Sequence, residues 1–157
     1  MFRKTVGLGL LALLPVVAAA QQAPAAQKPG ALDRMKANVA KITAPAEKER
    51  WQANVELWTL LPAGGTVTPA IVEKMTAPLA LMKANVAKIA EPAEKERWLA
   101  NVALWDAVAA TTLPDKAARS AQLATMNANV AKITAVPEKE RWLANAELWK
   151  VIVGVTS

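Results

Sequence analysis

The 157-residue sequence contains no cysteine, no histidine and no tyrosine. Without cysteine the chain has no disulfide, no thiolate metal ligand and no thiol nucleophile. Without histidine it lacks the commonest general base and the usual imidazole metal ligand. Motifs for metal or nucleotide binding, including a phosphate-binding glycine loop, are also missing. These absences argue against an enzyme, so we predict a non-catalytic protein without a cofactor or metal.

The N-terminus has the pattern of a secretory signal peptide. Arg3 and Lys4 precede an apolar run that contains one proline and ends in three alanines at 18–20. Such a run is short for a membrane span, which needs about 20 residues. We therefore predict that residues 1–20 are a signal peptide and that residues 21–30 are a flexible lead-in. The mature chain is expected to be periplasmic or secreted, with no transmembrane span.

Charge and hydropathy limit the remaining possibilities. Without the signal peptide the chain carries 17 basic and 13 acidic residues, a net charge of +4. This surplus is too small for a nucleic-acid-binding surface, so no nucleic-acid partner is expected. An apolar content of 54% is too high for a disordered chain. We expect a folded domain.

One unit of 24 residues occurs three times without an internal gap. The copies begin at Met35, Met82 and Met126, which gives offsets of 47 and 44 residues. Periods of this size are typical of two-helix repeats, although the residues match neither the TPR nor the ankyrin pattern. We place the three units at about 31–61, 68–110 and 113–153.

Two helical segments make up each unit. In the first copy, apolar residues recur at helical spacing around Met35, and a second stripe begins at Trp51. An unbroken helix would turn these stripes about 160° apart. A proline before each second segment allows the chain to reverse instead, so that both stripes face one core; these prolines are Pro45, Pro92 and Pro137.

The predicted fold is therefore all-α: three tandem helical hairpins, about six helices in total. They form either a short open array or a closed bundle of approximate threefold symmetry. Pro78 lies within the first helix of the second unit and should kink or split it. Val151–Ile152–Val153 is expected to continue the last helix.

All six tryptophans occupy two equivalent positions in each unit, namely Trp51, Trp58, Trp98, Trp105, Trp142 and Trp149. Large aromatic residues on a helical stripe usually pack in a core, which is the favoured interpretation. The alternative is a row of stacking platforms for sugar rings. The methionines that open each unit are likewise expected to pack in the core rather than to bind copper.

Six asparagines also recur, namely Asn38, Asn54, Asn85, Asn101, Asn129 and Asn145. Asn54 shares a helix face with Trp51 and Trp58, and a buried amide must find hydrogen-bond partners. We favour asparagines that bond each other across the hairpin or accept an indole N–H. The alternative is hydrogen bonding to a ligand, which makes all six candidate binding residues.

An arginine precedes the first tryptophan of each unit at Arg50, Arg97 and Arg141. Glu47 and Arg50 are three residues apart, as in a helix-surface ion pair, so a solvated first turn is favoured. Adjacent helical positions point about 100° apart, and contact between an arginine and the next ring is therefore not expected. The alternative is that the three arginines gather and hold an anionic partner.

The functional prediction follows from broad repeated surfaces and missing catalytic residues. We expect an exported binding or scaffold protein of a bacterial-type cell envelope, with a protein or peptide partner. A glycan-binding module that uses the repeated tryptophans and asparagines is the alternative. The sequence leaves the oligomeric state open.

Overall fold

The computed structural model describes residues 30–62, 67–111 and 116–153. In these ranges the chain forms six helices and no strand, which confirms the predicted all-α class. The helices are α1 Ala31–Val39, α2 Pro45–Leu60, α3 Pro69–Ala87, α4 Pro92–Ala109, α5 Lys116–Ala131 and α6 Val136–Val153. The predicted signal peptide and nearly all of the predicted lead-in lie outside the described residues.

The chain reverses at the predicted prolines. Pro45 and Pro92 are the first residues of α2 and α4, and Pro137 is the second residue of α6. Proline suits these positions because the first N–H groups of a helix have no intrahelical acceptor. Each preceding helix ends with the same tight turn, and the isoleucine that follows is buried; these are Ile42, Ile89 and Ile133. The hairpins are thus fixed by a helix start and a buried apolar residue.

The helices α3 and α6 test two further predictions. α3 is continuous through Pro78, which is buried, so the split considered from the sequence does not occur. Proline removes only one backbone hydrogen bond, and burial of its ring against the core offsets part of that loss. The start of α3 is capped by the Thr68 hydroxyl, which accepts a hydrogen bond from the Ile71 N–H. The last helix extends to Val153, as predicted.

The three hairpins close into one bundle. The tryptophan-bearing helices α2, α4 and α6 are the inner helices, and α1, α3 and α5 are the outer helices. Each outer helix packs against the inner helix of its own hairpin and, more extensively, against that of the preceding unit. The same rule places α1 against α6, which joins the first unit to the last. Of the two predicted arrangements, the closed bundle is therefore the one adopted.

None of the helices in the described part of the chain is both long and apolar enough to cross a bilayer.

Candidate functional site

The six tryptophans form two triangles where the inner helices meet. In the first triangle, Trp51, Trp98 and Trp142 have ring centroids 4.8–5.0 Å apart with planes at 66–70°. The second triangle has centroids 4.6–4.7 Å apart at 61–65°, and contains Trp58, Trp105 and Trp149. Edge-to-face geometry is favourable for aromatic rings. All six residues are at most 6% exposed, so none of the rings is available as a stacking platform.

A ring of three asparagines separates the two triangles. The Nδ2 of Asn54 donates to Asn145 Oδ1 at 3.0 Å, Asn145 donates to Asn101 at 2.9 Å, and Asn101 donates to Asn54 at 3.0 Å. All three residues are fully buried. The bonds run between hairpins, whereas we predicted from the sequence that they would cross a hairpin. Closure of the bundle supplies the partners.

The remaining positions of each amide are also used. The Oδ1 of Asn54 accepts a second bond from Trp105 Nε1 at 2.9 Å, and its Nδ2 lies 3.6 Å from the Met35 sulfur. The other two asparagines repeat both contacts, with Trp149 and Met82 for Asn101 and with Trp58 and Met126 for Asn145. An asparagine side chain has two donor and two acceptor positions. Each member of the ring therefore has a complete set of partners.

The three arginines are buried at 5% exposure, so the solvated first turn expected from the sequence is wrong for them. The guanidinium group of Arg50 lies over the ring of Trp98 in the next unit, 5.3 Å from its centroid. Arg97 lies over Trp142 at 5.7 Å, and Arg141 lies over Trp51 at 5.5 Å. The expectation that an arginine does not contact its adjacent ring holds, but the fold provides a different ring and thus a cation–π contact.

Each arginine also pairs with a glutamate of the next unit, and not with the glutamate of its own helix. Arg97 donates to Glu138 at 2.9 Å, Arg50 donates to Glu94, and Arg141 donates to Glu47. In the first two units the same guanidinium group also reaches a backbone carbonyl of the neighbouring outer helix. The arginines are therefore engaged within the bundle.

Burial shifts the pKa values of two of the arginines and one of their glutamate partners. Burial lowers the pKa of the Arg50 and Arg141 guanidinium groups, and the nearby glutamates oppose that shift. Burial also raises the pKa of the Glu94 carboxyl group; Arg50 opposes this, and repulsion from Glu138 reinforces it. For Arg50, Arg141 and Glu94, attraction between opposite charges therefore only partly compensates desolvation.

The outer-helix asparagines are less alike than the inner ones. Asn85 donates to Glu49 at 3.1 Å and Asn129 donates to Glu96 at 2.8 Å, so each connects its outer helix to the preceding unit. Asn38 instead donates to the carbonyl of Arg34 in its own helix. At this seam, α1 and α6 are joined by an ion pair between Arg34 and Glu147.

The bundle surface carries a groove between the two helices of every hairpin, because each outer helix leans onto the preceding unit. Groove 1 lies between α1 and α2, groove 2 between α3 and α4, and groove 3 between α5 and α6. Their volumes are about 420, 290 and 660 Å³. Aliphatic residues at equivalent positions line all three, and these are Val39 and Val55, Val86 and Val102, and Val130 and Ala146.

The grooves differ at one central position. Leu99 in groove 2 and Leu143 in groove 3 are 52% and 46% exposed, whereas groove 1 has Gln52. These residues were not among the binding residues predicted from the sequence. A signal was present, because a leucine directly after the core tryptophan points about 100° away from the core stripe.

The structure thus divides the nine candidate binding residues. Asn54, Asn101 and Asn145 form the buried ring, and a ligand would reach them only if the bundle opened. The three arginines and the three outer-helix asparagines surround the core and contact neighbouring side chains or backbone. A binding role for any of the nine stays a prediction.

Comparison of the chain with protein-family models, with curated proteins and with solved structures finds no match.

Proposed function

We propose that this protein is an exported, non-catalytic binding or scaffold protein of a bacterial-type cell envelope. Protein or peptide partners would dock in grooves 2 and 3, which carry the exposed leucines. The observation that carries the proposal is an exposed leucine at the centre of two equivalent aliphatic grooves, Leu99 in groove 2 and Leu143 in groove 3.

The interior side chains contact one another, which favours a binding site on the outside of the bundle. The ring amides use all their hydrogen-bonding positions on each other, on indole groups and on methionine sulfurs. The terminal guanidinium nitrogens of the arginines bond to glutamates and the groups lie over aromatic rings, although the buried Nε atoms have no hydrogen-bond partner among the described residues. Polar groups that already have good partners gain little from a ligand, because each new bond replaces an existing one. Leu99 and Leu143, by contrast, expose about half of their surface in the grooves.

The grooves also have the composition of a helix-binding surface. Amphipathic peptide helices insert an apolar face into grooves with an aliphatic floor and a polar rim. Leu99 and Leu143 supply exposed aliphatic surface, and lysines lie on the rims. A bundle held together by two tryptophan triangles is already ordered, so a ligand would cause little further loss of conformational entropy in the protein.

Selection of peptides on the immobilised protein tests this proposal. A random peptide library should yield sequences with aliphatic residues at helical spacing. Their binding should be lost in the double variant Leu99→Gln/Leu143→Gln. Glutamine is a conservative choice because Gln52 occupies the equivalent position in the first unit.

The control is the unfolding temperature of the double variant, which should match that of the parent protein. Enriched peptides that bind the double variant as well as the parent would contradict the proposal. So would the absence of any enriched peptide.

A further inference from the structure

Groove 3 differs from the other two in the charges at its ends. Lys139, Leu143, Ala146 and Lys150 lie on α6 and line this groove. Their spacing of four, three and four residues places them on one helix face. Lys139 and Lys150 are eleven residues apart, which corresponds to about 16 Å along the helix. The groove therefore has an aliphatic centre with a lysine at each end.

These two lysines are not neutralised within the part of the chain that the structure describes. Neither of them forms an ion pair there. Glu147 also lines the groove, but its carboxylate is paired with Arg34 of α1. The two positive ends remain available to a ligand.

The equivalent positions of the other grooves lack this combination. In groove 2, the residue equivalent to Lys150 is Asp106, which pairs with Lys83 at 2.5 Å and so neutralises that end. In groove 1, Thr59 replaces the lysine and Gln52 replaces the leucine. Groove 3 is also the largest of the three, at about 660 Å³.

We propose that groove 3 docks a helical peptide segment with an aliphatic face and an acidic side chain at each end. The aliphatic face would pack on the exposed Leu143, above the buried floor residue Ala146, and the two carboxylates would lie about three helical turns apart against Lys139 and Lys150. The proposal rests on the proposed function and names the chemistry of the partner. Charge complementarity selects this occupant, because each lysine would attract a carboxylate at its end of the groove and would not attract a neutral helix.

The probe is a synthetic peptide, acetylated and amidated at its ends, with leucines on one helical face and two glutamates eleven residues apart. Its control has glutamine at both glutamate positions. Binding of the labelled peptides is measured by fluorescence anisotropy. The glutamate peptide should bind about tenfold more tightly than its control at low salt, and added salt should reduce this difference.

Substitutions in groove 3 test whether the probe binds there. Lys139→Glu/Lys150→Glu should weaken the probe by about tenfold or more, and Leu143→Gln by about tenfold. The matched control is Lys36→Glu/Lys95→Glu, which makes the same charge change on the rims of grooves 1 and 2 and should leave affinity within about twofold. An equal loss in this control would mean general attraction to a basic surface, which would overturn the inference.

A gain of binding provides a test that misfolding cannot imitate. Groove 2 already has Lys95 and Leu99 at the positions of Lys139 and Leu143, and Asp106→Lys adds the second lysine of groove 3. Calorimetry should then show two probe sites per chain in place of one. A stoichiometry that stays at one, in a variant that unfolds at the parental temperature, would count against the inference.

The outcomes separate the two proposals. Groove-dependent peptides from the library, together with no preference for the glutamate probe, would overturn this inference and leave the proposed function intact. Failure of both would remove the proposed function as well. A protein dimer that the probe dissociates would identify a second copy of the chain as the occupant and would also overturn the inference.

Discussion

The three repeats are nearly identical in the interior of this bundle, but they differ on its surface. Inside, the asparagine ring repeats its bonds within 0.1 Å around the axis, and the tryptophan triangles have nearly equal sides. On the surface, the grooves have different central residues, end charges and volumes. An interior residue contacts its equivalents in both other units, so one change disturbs the whole ring. A groove residue lies on its own hairpin and is free to differ.

The seam between the last and the first unit shows the limit of this symmetry. α1 has nine residues, whereas α3 and α5 have 19 and 16. Asn38 bonds within its own helix, whereas its equivalents reach a glutamate in the preceding unit. The Arg34–Glu147 ion pair joins the helices there instead. Closure thus depends on the shared core more than on equivalent contacts at the periphery.

The largest expected contrast is between two adjacent residues. Trp98→Ala removes a ring that contacts Trp51 and Trp142 and lies under Arg50, so it should cost about 3–5 kcal/mol of unfolding free energy. Leu99→Ala, on the groove surface, should cost less than about 1 kcal/mol. Urea unfolding measures both. A loss below about 1 kcal/mol for Trp98→Ala would contradict its role in the core.

The asparagine ring provides the next contrast. Asn101→Ala leaves the Asn145 Nδ2 and Trp149 Nε1 donors without their acceptor, which should cost about 3 kcal/mol. Asn127→Ala, on the wall of groove 3, should change stability by no more than about 0.5 kcal/mol. Chemical denaturation compares the two variants. Equal losses of stability in the two variants would mean that an asparagine of the ring contributes no more than one on the surface.

The arginines lie between these two regions. Arg97→Lys removes the planar group that lies over Trp142 and also reaches Glu138 and the Asn129 carbonyl. The expected cost is about 2 kcal/mol, because a lysine ammonium group cannot replace all three contacts. A double-mutant cycle with Glu138→Gln should give a coupling energy above about 0.5 kcal/mol. Strict additivity would show that the two side chains act independently.

The smallest expected effect is a dependence on pH. Burial raises the pKa of Glu94 in the folded protein, so the folded state binds a proton more tightly than the unfolded chain does. Glu94 therefore favours folding most below its unfolded pKa of about 4.3, and this contribution is lost as pH rises through the folded pKa. Relative to Glu94→Gln, the parent protein should lose stability as pH increases from about 4. Thermal unfolding across this range checks the sign, and a relative gain would contradict it.

Much of the secondary structure could be predicted because its causes are local. The stripe through Met35 and the proline at Pro45 determine a helix, a break and a second helix within one unit. The burial of all six tryptophans follows from their helical spacing and their large apolar area. The contacts of the arginines could not be predicted from these local patterns. Arg50 points away from the adjacent Trp51, and only packing of the next unit places it over Trp98.

By itself, the sequence of this protein determined the helices, the hairpins and the residues that share the buried faces, because helical periodicity and proline act over a few residues. The tertiary structure alone decided that α1 meets α6, that the asparagines bond between units, and that one groove ends in two free lysines within the described chain. The reason is geometric. A periodic pattern specifies which face of a helix is apolar, but the identity of the neighbour on that face depends on how the three units close around a common axis.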